Sequence, residues 1–154
     1  MTYFNNFFIV ILLFGFSCNA NRNGPISIKV SHFAGAAGLT RIYIITENEI
    51  QLVTNCDFQD CTEKVVYRRA FSNAESDSIQ NFLLSLRLDT LKASYTTPNI
   101  DDGLFTKLTV TGGTASTKTS TFSNYTTPVT NKLFEYIDRL VFEKKYKFTN
   151  WGDE

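Results

Sequence analysis

Apolar residues come first as one unbroken run and then in alternation. Phe7 to Phe16 reads Phe-Phe-Ile-Val-Ile-Leu-Leu-Phe-Gly-Phe, ten residues without a charged or polar side chain. From Ile26 onward Ile26, Ile28 and Val30 alternate with Ser27, Lys29 and Ser31, the period of two of a half-buried strand. The small-residue stretch Phe33-Ala34-Gly35-Ala36-Ala37-Gly38 reads as a loop, followed by a second strand at Arg41–Thr46. Glu47-Asn48-Glu49 turns the chain into a third strand at Ile50–Asn55, and a fourth follows at Lys64–Phe71. These four strands form an antiparallel meander.

The period then changes to that of a helix. Ser72-Asn73-Ala74-Glu75 has the spacing of a capping box, and Ile79, Phe82, Leu83 and Leu86 follow at i, i+3, i+4 and i+7. This helix is expected to run to about Leu91. Asp101-Asp102-Gly103 is turn chemistry before a strand at Leu104–Thr111, and Gly112-Gly113 leads to a Thr/Ser-rich edge strand at Thr117–Phe122. Pro128 opens a last helix at the first position, where its missing N–H costs nothing, with Val129, Leu133, Ile137, Leu140 and Val141 on the buried face. The order ββββ-α-ββ-α predicts an α+β fold, an antiparallel sheet with two helices packed on one face.

The apolar run is too short for a membrane-spanning helix, which needs about 20 such residues, and fits the core of a secretory signal peptide. No Lys or Arg precedes it. Directly after it stand Gly15-Phe16-Ser17-Cys18 and the polar stretch Asn19 to Gly24. This resembles the lipobox of bacterial lipoproteins, in which a small residue precedes a cysteine. Ser17 matches that small residue, while Gly15 and Phe16 depart from the usual pattern. The resemblance implies that Cys18 is lipidated and that the signal is removed before it. Plain secretion or an uncleaved anchor are the alternatives. The division is then a signal peptide at 1–17, a lipidated tether at 18–25, one domain at 26–148 and a tail at 149–154, with the membrane as partner through the anchor. No acidic run follows Cys18, so the periplasmic face is the preferred side.

Three cysteines are an odd count for an exported protein, and assigning Cys18 to lipid leaves Cys56 and Cys61. The flanking strands would bring these two close across a hairpin, near enough for a structural disulfide. As metal ligands they are too few, because zinc takes four. No other metal set and no cofactor motif stands out.

With 15 basic and 15 acidic residues the net charge is zero, which disfavours nucleic acid as a partner. Lys144, Lys145 and Lys147 read as a solvated helix end that suits the negative pole of the helix dipole. No catalytic constellation emerges. Serine catalysis would have to recruit His32, the one histidine, and there is no Gly-x-Ser-x-Gly elbow. At the end of an edge-like strand, His32 reads as a bystander. Asp101-Asp102 lacks the alternating ligands of a calcium loop, and Gly112-Gly113 lacks the ending of a P-loop.

Strand Ile26–Val30, the Phe33-Ala34-Gly35 turn and Arg41-Ile42-Tyr43 resemble the opening of emfourin-type metalloprotease inhibitors. Ser31 and His32 stand where those proteins have two glycines, and the likeness covers about a dozen residues. It implies a domain that occupies a protease cleft, with His32 and Phe33 as candidate binding residues. The expected function is therefore a non-enzymatic cell-envelope lipoprotein with a binding domain and a protein partner in the envelope. An accessory subunit of an envelope assembly and a small periplasmic hydrolase are the alternatives. An exposed apolar patch would favour the first, and a concave pocket holding His32 and carboxylates the second.

Overall fold

The structure, a computed structural model, describes residues 24–34, 39–56, 62–98, 103–113 and 115–150. Residues 1–17, Cys18, the turn at 35–38, Cys61 and Asp101-Asp102 lie outside the described residues, so the expectations placed on them do too. Cys56 closes a strand, but its side chain is likewise outside that set.

The fold is α+β, with the expected succession of strands and helices. Seven strands form one sheet: β1 (Gly24–Ala34), β2 (Leu39–Ile45), β3 (Glu49–Cys56), β4 (Lys64–Ala70), β5 (Ser94–Thr96), β6 (Leu104–Gly113) and β7 (Ala115–Ser123). Their spatial order is β4-β3-β2-β1-β6-β7-β5. The helices are α1 (Asn73–Ser85) and α2 (Pro128–Leu140).

Four local expectations are corrected. Strand β1 is the central strand of the sheet and not edge-like, because β6 returns to pair with its free side. It also continues through Phe33 and Ala34, which were expected in a loop. The first helix stops at Ser85 instead of about Leu91, and Leu88–Thr90 forms a separate 3-10 turn after Arg87 adopts a left-handed φ of 49°. A three-residue strand, β5, pairs in parallel with β7, so the Thr/Ser-rich strand lies inside the edge and the sheet is mixed.

Alternation sorts the sheet into two faces. Ile26, Ile28 and Val30 of β1, Tyr43 and Ile45 of β2, Ile50 and Leu52 of β3, Leu108 of β6 and Phe122 of β7 are buried beneath the helices. Ile79, Leu83 and Leu86 reach them from α1, and Leu133, Phe134, Ile137 and Leu140 from α2, in one continuous core. The stripes read from the sequence are thus the packing faces. The Ser72 cap of α1 and the place of Pro128 in α2 also match. Ser72 accepts from the Glu75 N–H while Glu75 reaches back to the Ser72 N–H, and Thr127 and Thr130 do the same for α2 behind Pro128.

One backbone irregularity is closed by a side chain. Pairing of β1 with β6 shifts register between Gly24 and Ser27, leaving the Ile26 peptide groups outside the regular ladder. Gln80 of α1 answers both: its carbonyl accepts the Ile26 N–H (2.8 Å) and its amide donates to the Ile26 C=O (3.0 Å). Across the same irregularity Gly112 has φ +98°, and a Cβ there would come within 2.1 Å of the Pro25 carbonyl. After α2 the chain folds back in two further 3-10 turns, Lys144–Tyr146 and Phe148–Asn150. The lysine cluster therefore sits beyond the helix and not at its last turn. Among the described residues no helix is long and apolar enough to cross a membrane.

Candidate functional site

The alternation that buries Ile26, Ile28 and Val30 continues to His32, which puts a lone imidazole on the core face of the central strand. Register sets its neighbours: Arg41 of β2 on one side and Thr106 of β6 on the other. The Thr106 hydroxyl lies 2.7 Å from His32 Nδ1. Phe148 closes over the imidazole, with ring centroids 4.7 Å apart. Only 6% of His32 is exposed. Burial, with the nearby Arg41 charge adding to it, lowers the pKa of His32 from 6.5 to about 4. The ring is neutral at pH 7, because removing it from water disfavours the charged form.

Phe148 is itself held by a buried carboxylate. Asp138 lies on the packed face of α2 and accepts the backbone N–H of Phe148, the N–H of Thr149 (3.2 Å) and the Thr149 hydroxyl. The Phe148 ring then stacks on Phe134 at 4.1 Å and touches Tyr43 at 5.5 Å. The Tyr43 hydroxyl donates to the Tyr146 carbonyl (2.9 Å), a second tie on the returning chain. Burial pushes the Tyr43 phenol well above its ordinary range. Arg41 opposes that shift and Asp138 adds to it. Two polar ties and three aromatic contacts thus fix the C-terminal turn over the end of the sheet.

Beside this turn opens a cavity of about 640 Å³. His32, Thr106 and Phe148 form its floor, and Phe134, Asn131 and Glu135 line the α2 side. The opposite wall is Leu104 with the segment Asn124–Thr126. That segment is locally fixed. Asn124 takes a left-handed φ of 49°, its side-chain oxygen accepts the Leu104 N–H (2.8 Å), and its own N–H donates to the Leu104 carbonyl (2.9 Å). Gly103 is required for this approach, since a Cβ there would lie 1.7 Å from the Asn124 amide oxygen. Tyr125 is propped on Tyr95, which stacks on Phe122.

Of the two candidate binding residues, His32 faces this cavity and Phe33 does not. Adjacent residues of a strand point to opposite faces, and Phe33 is half-buried on the far face, opposite Phe105. The structure therefore does not bring them into one site. Sequence reasoning missed Thr106, Asn131, Phe134, Glu135, Phe148 and Asp138. Two signals pointed toward them: the Ile26-Ile28-Val30 alternation continuing to a histidine, and the acidic Asp138 inside the apolar stripe of α2.

Chemically the cavity offers neutral donors and acceptors, aromatic walls and one carboxylate at its margin. Its volume falls within the range of small-molecule sites, about 300–1,000 Å³. No serine or cysteine lines it among the described residues. Nor does any group of three or more His, Cys, Asp and Glu side chains stand together there to hold a metal. No protein-family model matches the chain, and no curated protein matches it.

Proposed function

We propose that this chain is a lipid-anchored protein of the bacterial cell envelope, and that its folded domain works by binding rather than by catalysis. The anchor rests on the apolar leader Phe7–Phe16 and on Ser17-Cys18 behind it. Two or more acyl chains on Cys18 hold a protein at a bilayer far longer than one can, at about 0.8 kcal/mol per buried CH₂. The binding reading rests on the cavity over His32. Nδ1, the nitrogen through which a carboxylate orients a catalytic imidazole, is engaged by Thr106.

The anchor is tested by fatty-acid labelling, which Cys18→Ser should abolish; retained label on the variant refutes it. Protein-observed NMR on the mature chain tests the binding, by screening small molecules and following the amides of His32, Thr106 and Asn131. The protease-inhibitor form, drawn from the emfourin-type resemblance, moves the contact to residues 33–38. A metalloprotease that binds there and leaves the cavity amides unmoved supports it.

A specific observation favours a second reading. His32 and Glu135 line the same cavity, the combination that a small hydrolase would use. The attacking group would then be water or one of the hydroxyls of Thr106, Thr126 and Thr149. Turnover of a generic ester or glycoside, lost in both His32→Gln and Glu135→Gln, would establish it.

A further inference from the structure

We infer that the cavity over His32 takes a neutral saccharide, an inference that rests on the binding reading above and names its ligand class. Charge narrows the ligand class first. Glu135 is the one acidic side chain lining the cavity, and no lysine or arginine lines it among the described residues. An anionic ligand would meet that carboxylate, and no cation among the described lining residues offsets it. A cationic ligand has only that carboxylate to pair with. Glu135 is exposed and at the rim, where an ion pair contributes little. Charge of either sign is disfavoured.

Polarity then separates the neutral ligands. A hydrocarbon would strip water from Thr106, Thr126, Asn131 and Thr149 and return no hydrogen bond, which is costly for polar groups leaving water. A ring bearing hydroxyls matches them. Its hydroxyls can both donate and accept toward threonine and asparagine side chains. Its aliphatic C–H face can lie on an aromatic ring, whose π face is electron-rich. The cavity supplies such rings at the floor in Phe148 and at the mouth in Tyr125, the latter already braced by Tyr95. The volume accommodates a mono- or disaccharide.

The test uses the ¹⁵N-labelled mature chain titrated separately with glucose, N-acetylglucosamine, cellobiose, glucuronate and glucosamine. Aromatic amines, aromatic acids and cyclohexanol serve as probes of other classes. A neutral saccharide should shift the amides of Thr106, Tyr125, Asn131 and Thr149 at lower concentration than either charged sugar. Asn131→Ala should weaken it about fivefold, the worth of one hydrogen bond of about 1 kcal/mol. Tyr125→Ala should do at least as much, and both sites are exposed, so the variants keep the fold. If a probe of another class shifts these amides and no neutral saccharide does, the saccharide assignment falls while the binding reading stands. If no small molecule of any class shifts them, both fall. Saccharide binding unaffected by both substitutions places the ligand elsewhere and also overturns the inference.

Discussion

Protonating His32 should be among the costliest things that mild acid does to this fold. The imidazole is 6% exposed, and its pKa is lowered from 6.5 to about 4. The unfolded chain therefore binds this proton more readily than the native one. Stability from a neutral His32 is present in full above pH 6.5 and is lost as pH falls toward and through 4. The gap between these values corresponds to about 3 kcal/mol, nearly all of it lost between pH 7 and pH 4. Carboxylates titrate in the same range. Glu49 is held low by its hydrogen bond from Arg68, and Glu75 by the Ser72 N–H, and both lose stabilising contacts in acid. Comparison with His32→Gln removes that background, because those contacts are common to both proteins. Urea unfolding followed by circular dichroism at half-unit steps from pH 7.5 to 4 gives the two curves. The wild type should lose about 3 kcal/mol more than the variant over that interval. Because the chain has one histidine, its imidazole ¹H signal gives an independent titration. Parallel stability curves, or an imidazole midpoint near 6.5, would refute the burial argument.

The remaining predictions concern the groups that shape the site and the thiols. Asp138→Ala leaves the Phe148 and Thr149 N–H groups without their acceptor and should cost about 2–4 kcal/mol in urea unfolding, with faster amide exchange at both residues. Asp138→Asn keeps one acceptor oxygen and should lose less; equal stability of all three proteins would contradict the tie. Gly112→Ala combines a φ of +98° with a 2.1 Å approach to the Pro25 carbonyl and should cost at least about 1–3 kcal/mol, while an unchanged melting temperature would show that the backbone relaxes freely. For the cysteines, thiol alkylation of the exported protein should find Cys56 and Cys61 unreactive before reduction and reactive after it. Alkylation of either without reductant rules out the staple.

Those parts of the fold that depend on periodicity were legible, and those that depend on long-range return were not. Ile26-Ile28-Val30 marks a half-buried strand whatever its neighbours, and Ser72 with Glu75 marks a helix start from residues close in sequence. Whether β1 is central or edge depends on β6, some 75 residues later, pairing with its second side. Local pattern carries no such information, so from sequence His32 reads as a bystander on an edge-like strand. The end of α1 failed for a related reason. Leu86, Leu88 and Leu91 are all buried and extend the apolar pattern past the helix, yet Arg87 turns left-handed and the chain packs them from a 3-10 turn. Burial continues where helical geometry stops.

The site was hidden for a different reason, and that reason ties fold to function. Its floor is made by one residue from each of three distant segments: His32, Thr106 and Phe148. Each has an ordinary local explanation: a strand residue, a strand residue and an aromatic near the C-terminus. What makes them a site is Asp138, a carboxylate that interrupts the apolar stripe of α2 and that the core would reject without partners. It finds those partners in the turn carrying Phe148, and so the chain after α2 is drawn back over the imidazole. A hydrophobic residue at 138 would continue the stripe and could pack α2 equally well, but it would leave the Phe148 turn without its acceptor. The buried carboxyl group is therefore accounted for by the cavity floor it holds in place, and not by the stability of the helix that carries it.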